Sequence, residues 1–368
     1  MEYRINRRTG DKISILGFGT SYIANASEKD GVETIQKAYT GGVNYFDLAT
    51  AESRTFSYFG TALCSVREKV LYQIHFGANY LTGAYGWTTD AETIKRSIDW
   101  QLNTLKTDYI DYGFIHCIDE MSDWQAYQRN GAYRLLLDMK ERGIVRHIGL
   151  SSHTPATIQR VLDEAAVDML MFSVNPGYDD QKGEYANGSV GERAAIHRRC
   201  EAEGIGISVM KPFSGGQLLD ASLSPFGRAL TQYQCMQYAL DRPGVLTVLP
   251  GMNSVEQVEY FLKFFEVSDD KKDYSVIGSF SPANAVGRCV YCNHCKPCPA
   301  GIDIGLVNKY YDLARNGDPM AAEHYRGLAL HAEDCIQCGH CNRRCPFQVD
   351  QMARMKEIAC YFSDAGKN

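Results

Sequence analysis

Eight cysteines lie in two short runs within the last quarter of this 368-residue chain. The runs are Cys289-x2-Cys292-x2-Cys295-x2-Cys298-Pro299 and Cys335-x2-Cys338-x2-Cys341-x3-Cys345-Pro346. Three thiolates from one tight loop can wrap one face of a cubane cluster, and in two-cluster domains the fourth cysteine of each run binds the other cluster. The spacing therefore predicts two [4Fe-4S] clusters.

The crossed arrangement divides the eight ligands between two centres. One centre is assigned Cys289, Cys292, Cys295 and Cys345, and the other is assigned Cys335, Cys338, Cys341 and Cys298. Two zinc sites are the competing interpretation, because C-x2-C pairs also suit tetrahedral zinc. The five other cysteines are expected to be structural thiols, although Cys117 follows His116 and could face a pocket.

Cysteine content also divides the chain. Only four of the 13 cysteines precede residue 276, whereas nine follow it, so the sequence predicts one domain over residues 1–275 and a second over residues 276–368. Clustered cysteines in a reducing cytosol are more often metal ligands than disulfides. The rest of the composition, 45% hydrophobic and 22% charged, is that of an ordinary globular protein.

The charge distribution argues against two classes of partner. The net charge is −6, and the 38 basic and 44 acidic residues are interspersed, so no basic face for nucleic acid or anionic lipid is expected. No apolar run approaches the roughly 18–20 residues of a membrane span. The first residues lack the hydrophobic core of a signal peptide. We therefore expect a cytoplasmic protein with no nucleic-acid or membrane partner.

The first 265 residues repeat a strand, a loop and a helix eight times, which predicts a (β/α)8 TIM barrel. A doubly wound sheet is less consistent, because no G-x-G-x-x-G follows the first strand. Beyond the barrel, helices are predicted at Ile304–Asn316, Pro319–Ala329 and Gln351–Phe362, typical of a small, mainly α-helical ferredoxin-like domain. The predicted strands are Ile13–Thr20, Asn44–Thr50, Val70–Gly77, Tyr109–Cys117, His147–His153, Met169–Asn175, Gly206–Pro212 and Thr247–Met252.

Polar residues collect at the carboxyl ends of these strands, where TIM-barrel enzymes place their chemistry. Any one of them could be a helix cap or a hydrogen-bonded core residue. Their convergence on one rim favours a site. They are Asp47, His75, His116, Ser151 to His153, Asn175 and Lys211.

Several motifs together resemble the aldo-keto reductase family, and in particular its branch with a C-terminal ferredoxin-like region. The resemblance covers essentially the whole chain, and it implies a (β/α)8 barrel in which NADPH delivers hydride to a carbonyl while an Asp–Tyr–Lys–His tetrad supplies the proton. The motifs lie at residues 3–4, 15–20, 44–47, 107–111 leading to His116, 148–152, 210–216 and 249–252.

Two tetrad positions match the family and two do not. Asp47 and His116 stand where the family has its aspartate and histidine, whereas Glu52 falls at the tyrosine position and His75 at the lysine position. A partly buried glutamic acid can exchange protons if desolvation raises its pKa. One hypothesis is therefore a Glu52–His75 pair. In the alternative, Glu52 lies in a shifted loop and Tyr58, Tyr80 or Tyr85 supplies the phenol.

The cofactor positions implied by the resemblance are also altered. Ser151 and Ser152 match the carboxamide-binding position, but Met171 and Met210 replace a glutamine and an aromatic residue. Residues 251–257 lack the lysine and arginine that would neutralise a 2′-phosphate. NADP(H) binding is thus possible but not assured. Lys211 is a candidate for binding a diphosphate or an anionic substrate.

The leading prediction is an iron–sulfur oxidoreductase acting on a small organic substrate at the barrel rim. Electrons would pass through the two clusters from a ferredoxin or flavoprotein, while Asp47, Glu52, His75 and His116 handle protons. One alternative is an NADPH-dependent carbonyl reductase with a replaced proton donor and structural or regulatory clusters. Another is a non-redox dehydratase or isomerase that uses the same acid–base residues.

Overall fold

The computed structural model describes residues 1–179, 186–279, 287, 289, 295–315, 320–345 and 348–364. The strands are β1 (Tyr3–Ile5), β2 (Lys12–Ser14), β3 (Tyr45–Asp47), β4 (Leu71–Phe76), β5 (Ala78–Asn79), β6 (Gly86–Trp87), β7 (Ile110–Ile115), β8 (Val145–Ser151), β9 (Met169–Ser173), β10 (Gly206–Met210) and β11 (Val245–Val248). The α-helices are α1 (Glu28–Thr40), α2 (Thr55–Leu63), α3 (Ala91–Leu105), α4 (Met121–Arg129), α5 (Ala132–Glu141), α6 (Pro155–Glu164), α7 (Pro176–Asp179), α8 (Val190–Glu203), α9 (Gln232–Leu240), α10 (Val255–Leu262), α11 (Asp269–Lys272), α12 (Ile304–Arg315), α13 (Ala321–Arg326), α14 (His340–Arg344) and α15 (Gln351–Asp364).

Seven parallel strands form the barrel sheet in the order β11-β10-β9-β8-β7-β4-β3. Residues 16–19 lie between the two end strands, because Leu16 pairs with Val248 of β11 and Phe18 pairs with Phe46 of β3, both in parallel. This segment belongs to the first predicted strand. The eight predicted strands therefore make one nearly closed ring, and the TIM-barrel prediction is confirmed.

Glycines allow this closing segment to approach its neighbours. A Cβ on Gly17 would lie 2.6 Å from Leu249 and 2.8 Å from Thr247, and a Cβ on Gly19 would lie 2.7 Å from the Leu249 carbonyl oxygen. Real Cβ atoms do not come this close to other heavy atoms. The two glycines thus let residues 16–19 complete the barrel.

The outer helices follow the amphipathic pattern of the sequence. Helix α3 spans the predicted residues Ala91–Leu105, and it buries Ile94 and Ile98 against the barrel. The Asp90 side chain accepts the backbone N–H of Thr93, which satisfies one of the free donors at the start of the helix. Pattern and cap together fix the position of α3.

The C-terminal region is helical, as predicted. Helices α12, α13 and α15 correspond to the three predicted helices, although Asn316 and Pro319 at two of the predicted ends lie outside the described residues. No strand occurs in the described residues from 295 onward. A separate apolar core that includes Val307, Tyr325 and Ile358 holds these helices together.

The C-terminal helices pack on the carboxyl-end rim of the barrel. Leu313 of α12 and Ala321 of α13 are buried against Tyr178, which lies in the short helix that follows β9. Part of the rim is therefore covered by the second domain. No helix within the described ranges is both long enough and apolar enough to cross a membrane.

The domain division at residue 275 stays a prediction. Ile277 still packs against the barrel core, so barrel contacts continue slightly past the predicted boundary. The next described residues belong to the cysteine-rich region.

Candidate functional site

Asp47 and His75 meet at the carboxyl-end rim of the barrel. Asp47 ends β3, and its neighbour β4 carries Gln73 and His75 two residues apart, so that both side chains point to the same face. His75 Nε2 lies 2.7 Å from Asp47 Oδ1, and Gln73 Nε2 lies 3.0 Å from the same oxygen. One carboxylate oxygen of Asp47 therefore accepts hydrogen bonds from both side chains.

Two hydroxyl groups fix the orientation of the Gln73 side-chain amide. Its Oε1 accepts the hydroxyl of Tyr45 at 2.7 Å and the hydroxyl of Ser208 at 3.1 Å. Burial raises the pKa of Tyr45 well above its usual value, so this phenol remains a donor. Because the amide oxygen faces two hydroxyls, the amide nitrogen must face Asp47.

Two further side chains extend this group outward. His116 follows β7, and its Nδ1 lies 2.9 Å from Nδ1 of His75, while the Tyr85 hydroxyl lies 3.0 Å from His116 Nε2. Tyr85 stands in the loop between β5 and β6, where its backbone N–H donates to the Ala51 carbonyl at 2.9 Å. We call Tyr85, His116, His75 and Asp47 the rim network. All four side chains are buried.

His116 is held in its neutral form. Burial is the main cause that lowers its pKa well below the usual value, and the neighbouring His75 and His324 add to this effect. A neutral imidazole donates from one ring nitrogen and accepts at the other. His116 can therefore link a donor on one side to an acceptor on the other.

The hydrogen-bond partners define one direction along the rim network. An ionised Asp47 can only accept, so a neutral His75 donates from Nε2 and accepts at Nδ1. His116 then donates from Nδ1 and accepts the Tyr85 hydroxyl hydrogen at Nε2. Every hydrogen points toward Asp47, and adding one proton to the network would reverse this direction.

Glu52 is not part of the rim network. Its Oε2 accepts Nε of Arg54, and the two side chains are 46% and 49% exposed. A bridge between Glu52 and Ala84 draws the loop that carries Tyr85 toward the rim. The structure thus does not bring together the Glu52–His75 pair that the sequence suggested, and a catalytic role for Glu52 stays an untested prediction.

Of the three tyrosines considered from the sequence, Tyr85 reaches His116. The hydroxyl of Tyr80 accepts the backbone N–H of Thr50 at 3.1 Å, and the hydroxyl of Tyr58 accepts from Arg54. Both of these phenols are buried and bonded elsewhere. Tyr85 is therefore the phenol placed beside the imidazoles.

The predicted nicotinamide positions offer little polar surface. The Ser152 hydroxyl donates to Asp119 Oδ1 at 3.2 Å and accepts the backbone N–H of Thr154. The Ser151 hydroxyl faces the sulfur of Met171 at 3.8 Å, and both serines are buried. The Ser152 hydroxyl is thus already bonded within the protein and does not fit a nicotinamide carboxamide. The Ser151 hydroxyl faces Met171, a second predicted nicotinamide position, and NADP(H) binding stays a prediction.

Lys211 lies on the same rim in a left-handed backbone conformation, with a φ of 55°. Its carbonyl accepts the side-chain amide of Asn175 at 2.9 Å, which ties the ends of β9 and β10 together. Its positive charge acts on both Cys117 and His153. A role in binding an anionic group stays a prediction.

Sequence reasoning missed Asp119, which organises the opposite side of the rim. Its carboxylate accepts the backbone N–H of His153 at 2.6 Å and contacts His153 Nδ1 at 2.9 Å. Burial opposes ionisation, but His153 and the buried Lys309 of α12 together lower the pKa of Asp119 below its usual range. Asp119 follows His116 closely in the sequence, but no pattern indicated that Lys309 would dock beside it.

Cys117, Asp119 and His153 place possible ligand atoms within 4.8 Å of one another. Burial raises the pKa of the Cys117 thiol, and Lys309 adds a positive charge beside the group. Both effects disfavour a bound cation. The group fits an interdomain ion pair better than a metal centre.

Four cysteines of the two runs lie around one cavity, and their role as ligands of a single cluster stays a prediction. Cys298, Cys335, Cys338 and Cys341, the four assigned from the sequence to one centre, line a single cavity. Thiolates in this number suit iron and sulfur. The backbone N–H of Val349 donates to Cys345 Sγ at 3.4 Å, an N–H···S contact of the kind that tunes cluster potentials.

The second set of ligands is less fully described. Cys289 is half-buried and Cys295 is buried, whereas Cys292 lies outside the described residues. The assignment of Cys289, Cys292, Cys295 and Cys345 to the other centre stays a prediction.

The fold and the rim define an oxidoreductase of the TIM-barrel class, and comparison with known proteins gives the family. Residues 15–232 match the aldo/keto reductase family, and residues 288–350 match a 4Fe-4S dicluster domain. The chain therefore belongs to the aldo/keto reductase family and carries a C-terminal dicluster domain. The family resemblance inferred from sequence is confirmed.

Individual relatives are distant. L-galactose dehydrogenase from Arabidopsis thaliana is 26% identical over 294 residues, which cover 70% of this chain and 86% of that protein. The uncharacterized oxidoreductase YqkF from Bacillus subtilis is 23% identical over 271 residues, or 67% of this chain and 85% of that protein. The holo form of aldo-keto reductase AKR11C1 from Bacillus halodurans superposes with a TM-score of 0.62 at 19% identity, covering 77% of this chain and 97% of that one.

Proposed function

We propose that this protein is an iron–sulfur oxidoreductase that interconverts a hydroxyl and a carbonyl group on a small organic substrate at the barrel rim. The observation that carries the proposal is the continuous hydrogen-bonded rim network beneath the dicluster domain. Tyr85 takes the part of the tetrad tyrosine, and His75 stands in place of the lysine.

The rim network would act as a proton relay. With Asp47 ionised, a substrate hydroxyl beside Tyr85 passes its proton to the phenol oxygen, and the phenol hydrogen moves to His116 Nε2. The hydrogen on His116 Nδ1 moves to His75, and the hydrogen on His75 Nε2 moves to Asp47. Each transfer spans a contact of 2.7–3.0 Å, within the range of a hydrogen bond.

The reverse reaction starts from the same network with one additional proton. Asp47 then holds that proton, each hydrogen bond points outward, and Tyr85 donates to a substrate carbonyl oxygen. Gln73 stabilises the ionised carboxylate by donating to Asp47 Oδ1. The protonation state of Asp47 thus decides whether the relay takes or gives a proton.

Oxidation of a hydroxyl-bearing carbon to a carbonyl releases two electrons and two protons. The relay takes the O–H proton, the C–H proton passes to solvent, and the dicluster domain would take the two electrons one at a time. In carbonyl reduction each transfer runs in reverse, and the domain would supply the electrons.

When bound, [4Fe-4S] clusters exchange single electrons and form a short path through the protein. Cys298, Cys335, Cys338 and Cys341 would hold one cluster around their shared cavity. A ferredoxin or flavoprotein remains the proposed external carrier. NADPH has no part in the proposed relay, because the Ser152 hydroxyl is already bonded to Asp119 and Thr154.

The test uses protein purified without oxygen, oxidised benzyl viologen as a one-electron acceptor, and L-galactose with other small sugars and alcohols as probes. L-galactose is chosen because the name of one relative indicates it. Tyr85→Phe removes the outermost group of the relay, and we expect it to lower the rate about 100-fold. Tyr58→Phe is the matched control, because Tyr58 is an equally buried phenol outside the rim network. A Tyr85→Phe variant as fast as the wild type would refute the relay.

A second candidate is NADPH-dependent carbonyl reduction, which membership of the aldo/keto reductase family favours. In that reaction the rim network would still supply the proton, and the clusters would be structural or regulatory. The two candidates differ in whether reducing equivalents enter through the nicotinamide position or through the C-terminal domain.

A further inference from the structure

The inner end of the rim network is closed. Asp47 is 4% exposed, and its Oδ1 faces His75 and Gln73, while Gln73 is held by Tyr45 and Ser208, both fully buried. Along the described hydrogen bonds, a proton that reaches Asp47 leaves through His75, by the route through which it entered. After each turnover the relay has to exchange a proton through Tyr85 before it can act again.

One of the aromatic neighbours of Tyr85 comes from the C-terminal domain. The His324 ring of α13 lies 5.8 Å from the Tyr85 ring, measured between centroids. Tyr80 and His116 also contact Tyr85, at 6.2 Å and 5.9 Å, but both are buried. His324 is partly exposed, so within the described part of the chain it connects the phenol with solvent.

The position of His324 is set by packing. Its ring stacks on Tyr310 of α12, with centroids 5.6 Å apart and an angle of 17° between the ring planes. Buried Leu313 and Ala321 anchor the same two helices to the barrel. The next residue, Tyr325, accepts the backbone N–H of Ala332 at 2.9 Å, close to the start of the second cysteine run. His324 is thus fixed both to the rim and to the cluster-binding region.

We propose that His324 is the group through which the rim network exchanges protons with solvent. Histidine suits this role because its ordinary pKa lies near neutrality. The 5.8 Å between the ring centroids is a direct aromatic contact, which places the imidazole beside the phenol. A proton that leaves Asp47 passes His75, His116 and Tyr85 and is taken up by His324, which releases it to water.

Each of these transfers breaks one O–H or N–H bond and forms another, and no electron moves. The proposal rests on the proposed function, since it requires the rim network to carry protons. It adds that the C-terminal domain supplies the proton exit as well as the electrons. The barrel site would then depend on both domains.

The experiment follows proton exchange without any substrate. The complete cluster-containing protein is labelled with 15N-histidine, and NMR measures how fast the His116 Nδ1 and His75 Nε2 hydrogens exchange with water. We expect His324→Ala to slow this exchange about tenfold, and added imidazole to restore it. Hydrogen exchange should remain slow in His324→Gln, because the glutamine amide fills the space of the imidazole but cannot take up and release a proton. His147→Ala is the control, since this half-buried histidine lies at the opposite end of the barrel, beside Asp11 and Asp168.

Unchanged exchange in His324→Ala would overturn the proposal. So would full recovery in His324→Gln without any response to imidazole, because that pattern indicates packing alone. The same spectra test the underlying relay separately. If His75 or His116 carries its hydrogen on the other ring nitrogen, the proposed network fails whatever the His324 variants show.

Discussion

The rim network and the cysteine runs bring reactive side chains together by different means. In the rim network, four buried side chains from three strands and one loop are hydrogen-bonded directly to one another. In the cysteine runs, Cys338 is exposed, Cys298 and Cys335 are half-buried, and these residues line a cavity without bonding to one another. The proposed proton-handling site is complete in the polypeptide, whereas the proposed electron-handling site requires an inorganic centre to join its ligands.

In the proposed reaction, proton transfer and electron transfer therefore take place in two regions of different construction. Parallel strands hold Asp47, His75 and His116 with little freedom, which suits proton transfer over short, directed contacts. The small helical domain has a modest core of its own, so cluster binding should contribute directly to its folding. Variants in the two regions should therefore fail in different ways.

The largest effect is expected from Cys341→Ser. Cys341 is buried in the C-terminal core and lines the cavity, so its loss should remove one cluster, or about four irons per chain, and loosen α12 to α15. The barrel should stay folded. Iron and sulfide analysis with limited proteolysis would show both results.

Cys360→Ser is the matched control, because Cys360 is exposed and lies outside both runs. Full iron content in the Cys341→Ser variant would contradict the ligand assignment. Unfolding of the barrel together with the C-terminal domain would contradict the contrast between the two regions.

In contrast to Cys341→Ser, Asp47→Asn should lower the reaction rate and leave the iron content and the folding of the protein unchanged. The amide cannot accept a proton from His75, so we expect the rate in the viologen assay to fall about 100-fold, while iron content and the unfolding temperature change little. Asp99→Asn serves as the control, because Asp99 is an exposed carboxylate paired with Lys95 on α3. A loss of iron in Asp47→Asn would show that the two regions are not independent.

Lower pH should destabilise the barrel, because His116 is neutral in the folded protein. The pKa of His116 is lowered in the folded protein from an ordinary value of 6.5, so below this pH the unfolded chain binds more protons than the folded one. The free energy of unfolding should therefore fall as the pH drops below 6.5. The contribution of His116 is about 1.4 kcal/mol per pH unit until its own lowered pKa is reached.

Urea unfolding at a series of pH values measures this slope. In His116→Gln the slope should be shallower, since the variant has no imidazole to protonate in the unfolded chain. Equal slopes in the wild type and the variant would mean that His116 is protonated in the folded state, and the inferred direction of the rim network would then be wrong.

The smallest effect is expected from Glu52→Gln. The ion pair with Arg54 is nearly half exposed, and surface pairs contribute only about 0–1 kcal/mol. We expect a change of less than about twofold in the viologen assay, and little change in thermal stability. A loss as large as that in Asp47→Asn would restore Glu52 to the list of proton-handling residues.

The strands could be predicted and the cluster ligands assigned from sequence, because apolar runs and cysteine spacing are both local features. The eight strands follow from short apolar runs, and α3 follows from its apolar spacing together with the Asp90 cap. Asp47, His75 and His116 could be named because parallel strands end at one rim. Gln73 carried a usable signal, since it is a polar residue inside an apolar strand, two positions before His75.

Tyr85 and His324 could not be placed from sequence. The position of Tyr85 depends on the β5–β6 hairpin and on the Glu52–Ala84 bridge, which bring the loop to His116. The position of His324 depends on how α12 and α13 dock on the barrel, and no local pattern encodes that contact. The family tetrad likewise placed Glu52 at the tyrosine position, whereas the loop directs its side chain outward to Arg54.

We propose that reducing equivalents reach the barrel rim through the clusters and not through a nicotinamide. The most direct measurement is an anaerobic calorimetric titration of the cluster-containing protein with NADPH, with the visible absorption of the clusters recorded at the same time. We expect no tight binding, because the Ser152 hydroxyl is already bonded to Asp119 and Thr154 and residues 251–257 carry no lysine or arginine for a 2′-phosphate. Tight NADPH binding without bleaching of the clusters would overturn this proposal and would favour NADPH-dependent carbonyl reduction.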